Sequence, residues 1–471
     1  MRGEGTVDSR LTLRSGRGRG TLTAAVLASG MAFLDSTVVN VALPALGHEL
    51  RASLAQLQWV VNGYTLTLAA FVLLGGALGD RFGRRRVFMV GIVWFTVASI
   101  ACGFAWDPGV LVGARIVQGI GAALLTPGSL AIIQASFEPD ERGKAIGAWS
   151  GLSGVTTAVG PFVGGLLIDV ATWRWIFWMN VPLALVALWF SWRCVPESRS
   201  PSPEVRGRFD IGGALLGALA LAGLTYGLIE PRAWPTLVVA LVAAVAFVLV
   251  ERARGERAML PLHLFSSRVF SGLNAYTIVV YGAFGGLFFL LVIYLQNALG
   301  YSALAAGAAT VPITLLLLVF SAWSGALATK IGPAIQLVAG PLLCAAGALL
   351  LRFAGDDYVT SVLPGVVVFG VGLTMLVAPL TATVLGAVDD HYAGVASGIN
   401  NAAARASSML AVAALPLVVG LSGTEYAEAG PLTNAYRAAT LWCAGFLALG
   451  AVIALIARPG YRGARGGRQH R

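Results

Sequence analysis

Gly76-Ala-Leu-Gly-Asp80-Arg81-Phe-Gly83-Arg84-Arg85-Arg86 decides how this chain is read. The stretch lies between two long apolar runs, Val60 to Leu78 and Val87 to Ala105. Four Arg and one Asp occupy a turn too short to be a domain. Cations held between two membrane-length segments anchor topology, because such residues stay on the cytoplasmic side. Gly76, Gly79 and Gly83 let helix ends and their turn approach neighbouring backbone. A plain cytoplasmic loop explains the stretch, and so does a dedicated motif; the rest of the chain decides between them.

Composition sets the class. The chain is 57% hydrophobic and 11% charged, with mean hydropathy +0.79, whereas soluble domains carry about 25% charged residues. It reads as an integral membrane protein of many helices, and its 59 Gly suit close helix packing in lipid. The net charge of +10 does not argue for nucleic acid, because the basic residues sit in loops between apolar runs. Cys102, Cys194, Cys344 and Cys443 are isolated and the His residues scattered, so no metal site is expected. The apolar run near the N-terminus, about 22–46, is too long for a signal peptide's hydrophobic stretch and is read as a first span.

A span needs about 20 mostly apolar residues. On that basis the chain contains 14: 22–46, 57–78, 87–106, 110–135, 144–168, 175–194, 211–230, 235–250, 270–297, 303–328, 333–353, 358–386, 394–420 and 436–457. With the N-terminus inside, inner segments hold 25 basic residues and outer segments 5, while Arg115 and Arg405 fall within spans. That asymmetry puts both termini in the cytoplasm. The predicted organisation is a basic arm (1–20), a six-helix lobe (21–194), a linker with two extra spans (195–269), a second six-helix lobe (270–457) and a basic tail (458–471). The halves echo one another. Gly325-Ala-Leu-Ala-Thr329-Lys330-Ile-Gly332 repeats the Gly76–Gly83 pattern, and Asp389-Asp390 before Gly394 and Gly398 repeats Asp140-Glu141 before Gly143 and Gly147. Duplicated halves are a mark of transporters.

Asp35, Arg115 and Arg405 are ionisable residues well inside spans, each costing about 2.5–3.5 kcal/mol at a helix centre. Asp35 opens a polar face with Ser36, Thr37 and Asn40, and Pro44 is expected to break or bend the outer end. A partly shielded carboxyl balanced against a nearby cation can bind and release a proton; the plainer reading is a pairing Asp that holds helices together. Arg115 has Gln118 at i+3, and either pairs with Asp35 or snorkels outward. Gly147, Gly151, Gly154, Gly160-Pro161 and Gly164-Gly165 form a small-residue face on the fifth span, with a kink or hinge expected at Pro161. Asn401 shares a face with Arg405, which either pairs internally or attracts an anionic part of a ligand. Tyr64, Trp149, Asn274, Tyr276, Tyr281 and Gln296 are candidate cavity-wall residues, each equally able to pack between helices.

These residues carry a resemblance. The chain resembles the major facilitator superfamily, and within it the fourteen-span drug:proton antiporters. Gly76–Arg86 looks like the superfamily's loop 2–3 motif, Asp35–Pro44 like the drug antiporters' first-span motif, Leu111–Gly121 like the fourth-span Arg motif, and Gly147–Gly165 like the fifth-span antiporter motif. Trp173–Pro182 looks like the sixth-span entry of the fourteen-span branch. The resemblance implies an all-α membrane protein of two six-helix lobes around a central cavity, with 14 transmembrane helices arranged 6+2+6. It assigns proton coupling to Asp35 and Arg115, a cytoplasmic latch to Gly76, Asp80, Arg81, Gly83 and Arg84, and antiport to the helix bearing Gly151, Gly154, Gly160, Pro161, Gly164 and Gly165. Asn40, Gln118, Asn401 and Arg405 are candidate cavity residues. Exporters of cationic drugs in this family carry further acids in later spans, and 270–457 has none deep in a span. Neutral or anionic natural products fit as well as cations.

The expected activity is proton-driven export of hydrophobic small molecules such as drugs, antibiotics or natural products across the cell inner membrane, by a monomer and without a cofactor beyond the proton motive force. One charge moved through about 150 mV releases roughly 3.5 kcal/mol, enough for a gradient of a few hundredfold. The alternative is an uncoupled facilitator or importer of a small metabolite on the same fold. An enzyme is not expected, since Walker A, GxGxxG, HExxH and GxSxG patterns are missing and no soluble domain is left over.

Overall fold

The computed structural model describes residues 11–199, 211–255, 260–389 and 392–457. Most of the basic arm, linker residues 200–210, Asp390 and the tail 458–471 lie outside the described residues. Among the described residues thirteen helices are long and apolar enough to cross a membrane, and a fourteenth follows when Leu54–Val72 and Leu74–Phe82 are taken as one bent span. In chain order they are α1 (Gly16–Leu50), α2 (Leu54–Phe82), α3 (Arg84–Gly103), α4 (Pro108–Ser136) and α5 (Pro139–Val170). Then come α6 (Trp175–Cys194), α7 (Ile211–Ile229), α8 (Trp234–Arg254), α9 (Arg268–Asn297) and α10 (Ala303–Ile331). The last four are α11 (Pro333–Leu351), α12 (Tyr358–Gly386), α13 (Ala393–Val418) and α14 (Ala429–Ala457).

Local chemistry sets the helix starts. Ser53 and Gln56 form a reciprocal capping box before α2, and the Asp107 carboxylate accepts from the Gly109 and Val110 N–H groups before α4. Lipid replaces water on the outer faces, so apolar side chains point outward without penalty; Leu241 and Val242 of α8 are 65% and 63% exposed. Pro44 does not end α1, which continues to Leu50, and α5 likewise runs unbroken through Pro161. A proline in a long span loses one backbone bond, which neighbouring helices in a bundle tolerate. The short 235–250 run becomes a helix of 21 residues, and α14 begins at Ala429, a full turn and more before the expected 436.

Helices α1 to α6 pack chiefly on one another, α2 and α3 against α4, and α1 against α5 and α6. Helices α9 to α14 do the same, α9 with α13 and α14, α11 with α12 and α14. The extra pair α7–α8 packs together, and α7 lies across both α2 and α13. The sequence echo has a backbone counterpart. Gly83 (φ +112°) joins α2 to α3 and Gly332 (φ +85°) joins α10 to α11, each donating its N–H to the carbonyl four residues back. Those φ values suit glycine alone.

The two groups of six meet mostly at the end opposite the Arg84–Arg86 turn. There Gln58 Nε2 donates to the Val412 and Ala413 carbonyls at 2.7 and 3.1 Å, and the Tyr426 hydroxyl to Ala52 O at 2.7 Å. Gln296 Nε2 donates to Val41 O at 2.9 Å. The Asp169 carboxylate of α5 accepts the Ala303 and Leu304 N–H groups at 3.1 and 2.9 Å, capping α10 from the other lobe. Helices α5 and α10 touch backbone to backbone: a Cβ on Gly165 would stand 2.5 Å from Ala303 O, and one on Gly307 2.1 Å from Pro161 O. Toward the other end of α5, Gly143, Gly147, Gly151 and Gly154 have no such neighbour within 4 Å. The expected continuous packing face therefore exists only over Gly160–Gly165.

Gly165→Val should lower the melting temperature of lipid-nanodisc protein by the equivalent of about 1–3 kcal/mol, since neither backbone can give way. Gly151→Val should leave it near wild type. Equal effects at the two positions would contradict the one-ended contact between α5 and α10.

Candidate functional site

The three ionisable residues inside spans fall into two settings. Asp35 and Arg115 are each 1% exposed and Gln118 fully buried. Arg115 Nη1 lies 2.5 Å from Asp35 Oδ2, and Gln118 Nε2 donates to Asp35 Oδ1 at 2.8 Å. Arg115 Nη1 also reaches Gln118 Oε1 at 2.7 Å, and its Nε donates to Val60 O at 3.1 Å. The guanidinium carbon stands 4.2 Å from the Tyr64 ring centroid, and the Tyr64 hydroxyl donates to Ala32 O at 3.2 Å. Both carboxylate oxygens are thus filled, and one cluster ties α1, α2 and α4 together.

Helix periodicity brings this about. Arg115 and Gln118 are three residues apart and share a face, and Gly119 lets α4 come so close to α2 that a Cβ would meet Thr67 Oγ1 at 2.1 Å. One turn beyond Asp35, Thr37 and Val38 sit against Gly160 and Gly164 of α5. The snorkelling alternative for Arg115 is overturned: its charge is directed inward, and removing one partner of a buried pair costs about 3–5 kcal/mol.

Arg405 has a different setting. It is partly exposed, and among the described residues it makes no hydrogen bond or ion pair. Asn401, one turn away, is exposed and donates back to Ser397 O. Asn40 is partly exposed, its amide turned to Ser36 O at 3.4 Å. Gln118, expected at the cavity, is instead a buried partner of Asp35.

The wall candidates divide likewise. Tyr276 is fully buried, and Asn274 joins Asn400 at 3.3 Å within the α9–α13 contact. Gln296 bridges lobes, and Trp149 Nε1 donates to Ser29 Oγ at 3.0 Å. Tyr64 is buried beneath Arg115. Tyr281 stays partly exposed and leads an aromatic ladder through Phe284, Phe369 and Phe288.

In the basic turn, Asp80 Oδ1 takes Arg84 Nε at 2.8 Å and Nη2 at 2.7 Å. Arg81 lies over the Phe82 ring, and Gly76 faces Pro127 of α4. The sequence gives no sign of the turn's main brace, Glu197, which lies in a segment that reads only as linker. Its Oε1 accepts the Arg85 N–H at 3.1 Å, and its Oε2 stands 3.7 Å from Arg86 Nε. Ser198 O and Val195 O accept from Arg84 and Arg85. A lone Glu after a proline carries no periodic signal. Among the described residues no three His, Cys, Asp or Glu gather to hold a metal.

A family model described as Major Facilitator Superfamily matches residues 25–412. A puromycin resistance protein of Streptomyces alboniger is 37% identical over 92% of this chain and 90% of its own length. A tetracenomycin C resistance and export protein of Streptomyces glaucescens is 35% identical over 86% of this chain and 76% of its own. Among solved structures, a bacterial homologue of the human lysosomal transporter Spinster superposes with TM-score 0.68 at 19% identity, covering 96% of this chain and 100% of that one; this likeness is one of fold.

Arg115→Leu strands the Asp35 charge and should destabilise the protein by about 3–5 kcal/mol. The double variant Asp35→Asn/Arg115→Leu should melt closer to wild type than the single one. Additive losses in that thermal cycle would mean the two residues do not act as a pair.

Proposed function

The chain belongs to the Major Facilitator Superfamily, and on that premise we propose that it is a proton-coupled exporter of hydrophobic small molecules of the antibiotic or natural-product kind. The superfamily is one of transporters rather than of enzymes, and this chain is a multi-pass membrane protein of that family. The resistance and export roles in its relatives' names support outward transport of such molecules. The 25-to-5 charge asymmetry supports the plasma membrane with both termini cytoplasmic. A monomer working without a bound cofactor fits a bundle whose halves supply their own interface.

The observation that carries the coupling is the filled carboxylate. Ionised, Asp35 holds Arg115 and Gln118 and so binds α1 to α4. A proton on Asp35 removes the charge that Arg115 answers, while Val60 O and the Tyr64 ring still retain the guanidinium. The grip of α4 on α1 then weakens. Helix α1 carries Thr37 and Val38 against Gly160 and Gly164 of α5, and α5 crosses α10 at Gly165 and Gly307. A proton taken up at Asp35 is thereby felt where the lobes meet. The Asp80–Arg84 pair and Glu197 act at the other end as the cytoplasmic latch, setting the rate at which that end closes.

Inside-out vesicles with an imposed acid interior test this. Substrates of the wild type should dissipate the gradient, and Asp35→Asn, isosteric with the protonated acid and first checked to be folded and inserted, should abolish the effect. Substrate-driven proton release by that variant would sink the coupling role; equilibration of labelled compound without proton movement in wild type would favour the facilitator.

Asp80→Asn should slow turnover several-fold and leave the range of compounds unchanged. A shift in that range would remove the latch reading.

A further inference from the structure

Arg405 lies inside a span and, among the described residues, has no hydrogen-bond or ion-pair partner. Gln58 of α2 fixes the register of α2 against α13 through the Val412 carbonyl. Seven residues along each of these antiparallel helices stand Thr65 and Arg405, roughly 10 Å toward the basic turn. Arg405 therefore lies past the closed contact, level with Tyr64, on the face of α13 turned to the other lobe. Ser397 and Asn401 share that face at four-residue spacing, so a polar stripe leads from the basic end to the guanidinium.

The charges within the spans do not balance there. Asp35 is the only carboxylate in the middle of a described span, and helices α9 to α14 contain none. Its two oxygens are already taken by Arg115 and Gln118. Deep within the described spans two guanidinium groups, those of Arg115 and Arg405, stand against one carboxylate, and a proton on Asp35 raises the excess to two. An unanswered charge at such depth is costly, and ionisable groups in spans mark substrate pathways. Arginine's planar fork suits two-point contact with a carboxylate or similar oxyanion. Tyr281 and Phe288, partly exposed at the two ends of the aromatic ladder whose middle rings are buried, supply apolar surface in the same lobe.

We propose that Arg405 is the docking point for an anionic oxygen group on the transported molecule, so that the preferred cargo is an apolar compound bearing one carboxylate, sulfonate or phenolate. This rests on the exporter reading only in calling the bound molecule cargo; the binding itself needs no gradient.

Equilibrium dialysis with purified protein in lipid nanodiscs, corrected with empty nanodiscs, tests it using anthraquinone-2-carboxylate and its uncharged carboxamide. The wild type should bind the acid about 10- to 100-fold more tightly than the amide, the range expected of a charge-assisted hydrogen bond. Arg405→Gln should bring the acid down to the amide's affinity and leave the amide unchanged, while Arg405→Lys keeps most of the preference. Equal binding of acid and amide by the wild type overturns the proposal. So does an Arg405→Gln variant that keeps the preference, or one that loses both ligands alike, which would make Arg405 structural. The vesicle assay separates the two claims: acid preference without proton exchange removes the antiport reading and leaves this one, and proton exchange without acid preference does the reverse.

Discussion

Everything in this molecule depends on the rule that charge buried in a bilayer has to be answered. Asp35 and Arg115 answer each other at 2.5 Å, with Gln118 filling the second carboxylate oxygen. The pair costs two desolvated ions, and hydrophobic side chains of similar volume would often be as stable. What an ion pair offers and a Leu pair does not is a strength that one proton can change. The same cluster reaches α1, α2 and α4, so its strength bears on three helices at once.

The route outward from that pair runs through contacts too close for side chains. Thr37 and Val38 press on Gly160 and Gly164, and α5 in turn meets α10 with bare backbone at Gly165 and Gly307. Close-packed interfaces shift between discrete arrangements more readily than they deform. The far half of α5 has open space at Gly143, Gly147, Gly151 and Gly154. One glycine series thus packs tightly toward one end of α5 and meets open space toward the other.

Much of this was legible beforehand, and for a physical reason. Length and hydropathy locate spans because lipid tolerates few alternatives to a helix, and the positions of all 14 follow from the sequence. The Gly83 and Gly332 turns could be matched because glycine alone suits their backbone. Asp35 and Arg115 stand out because charge is rare at that depth, and their pairing was one of two readings left open. Gln118 was misplaced at the cavity because a polar residue at i+3 from an arginine looks the same whether it faces ligand or partner. Pro44 does not break α1, because the surrounding bundle carries the helix past it. Glu197 could not be found at all: its meaning comes from a turn more than a hundred residues away in sequence.

Helix α7 lies across α2 and α13, one on each side of the boundary between the lobes. The seam between those lobes consequently has two unlike flanks. On the α2–α13 flank a greasy solute dissolved in the bilayer meets another helix, with Trp59 and Tyr226 in ring contact at 5.9 Å, before it meets the cleft. On the α5–α10 flank no added helix stands in the way. The hydrocarbon therefore borders the seam between the lobes unevenly, open to it past α5 and α10 and screened from it by α7 past α2 and α13.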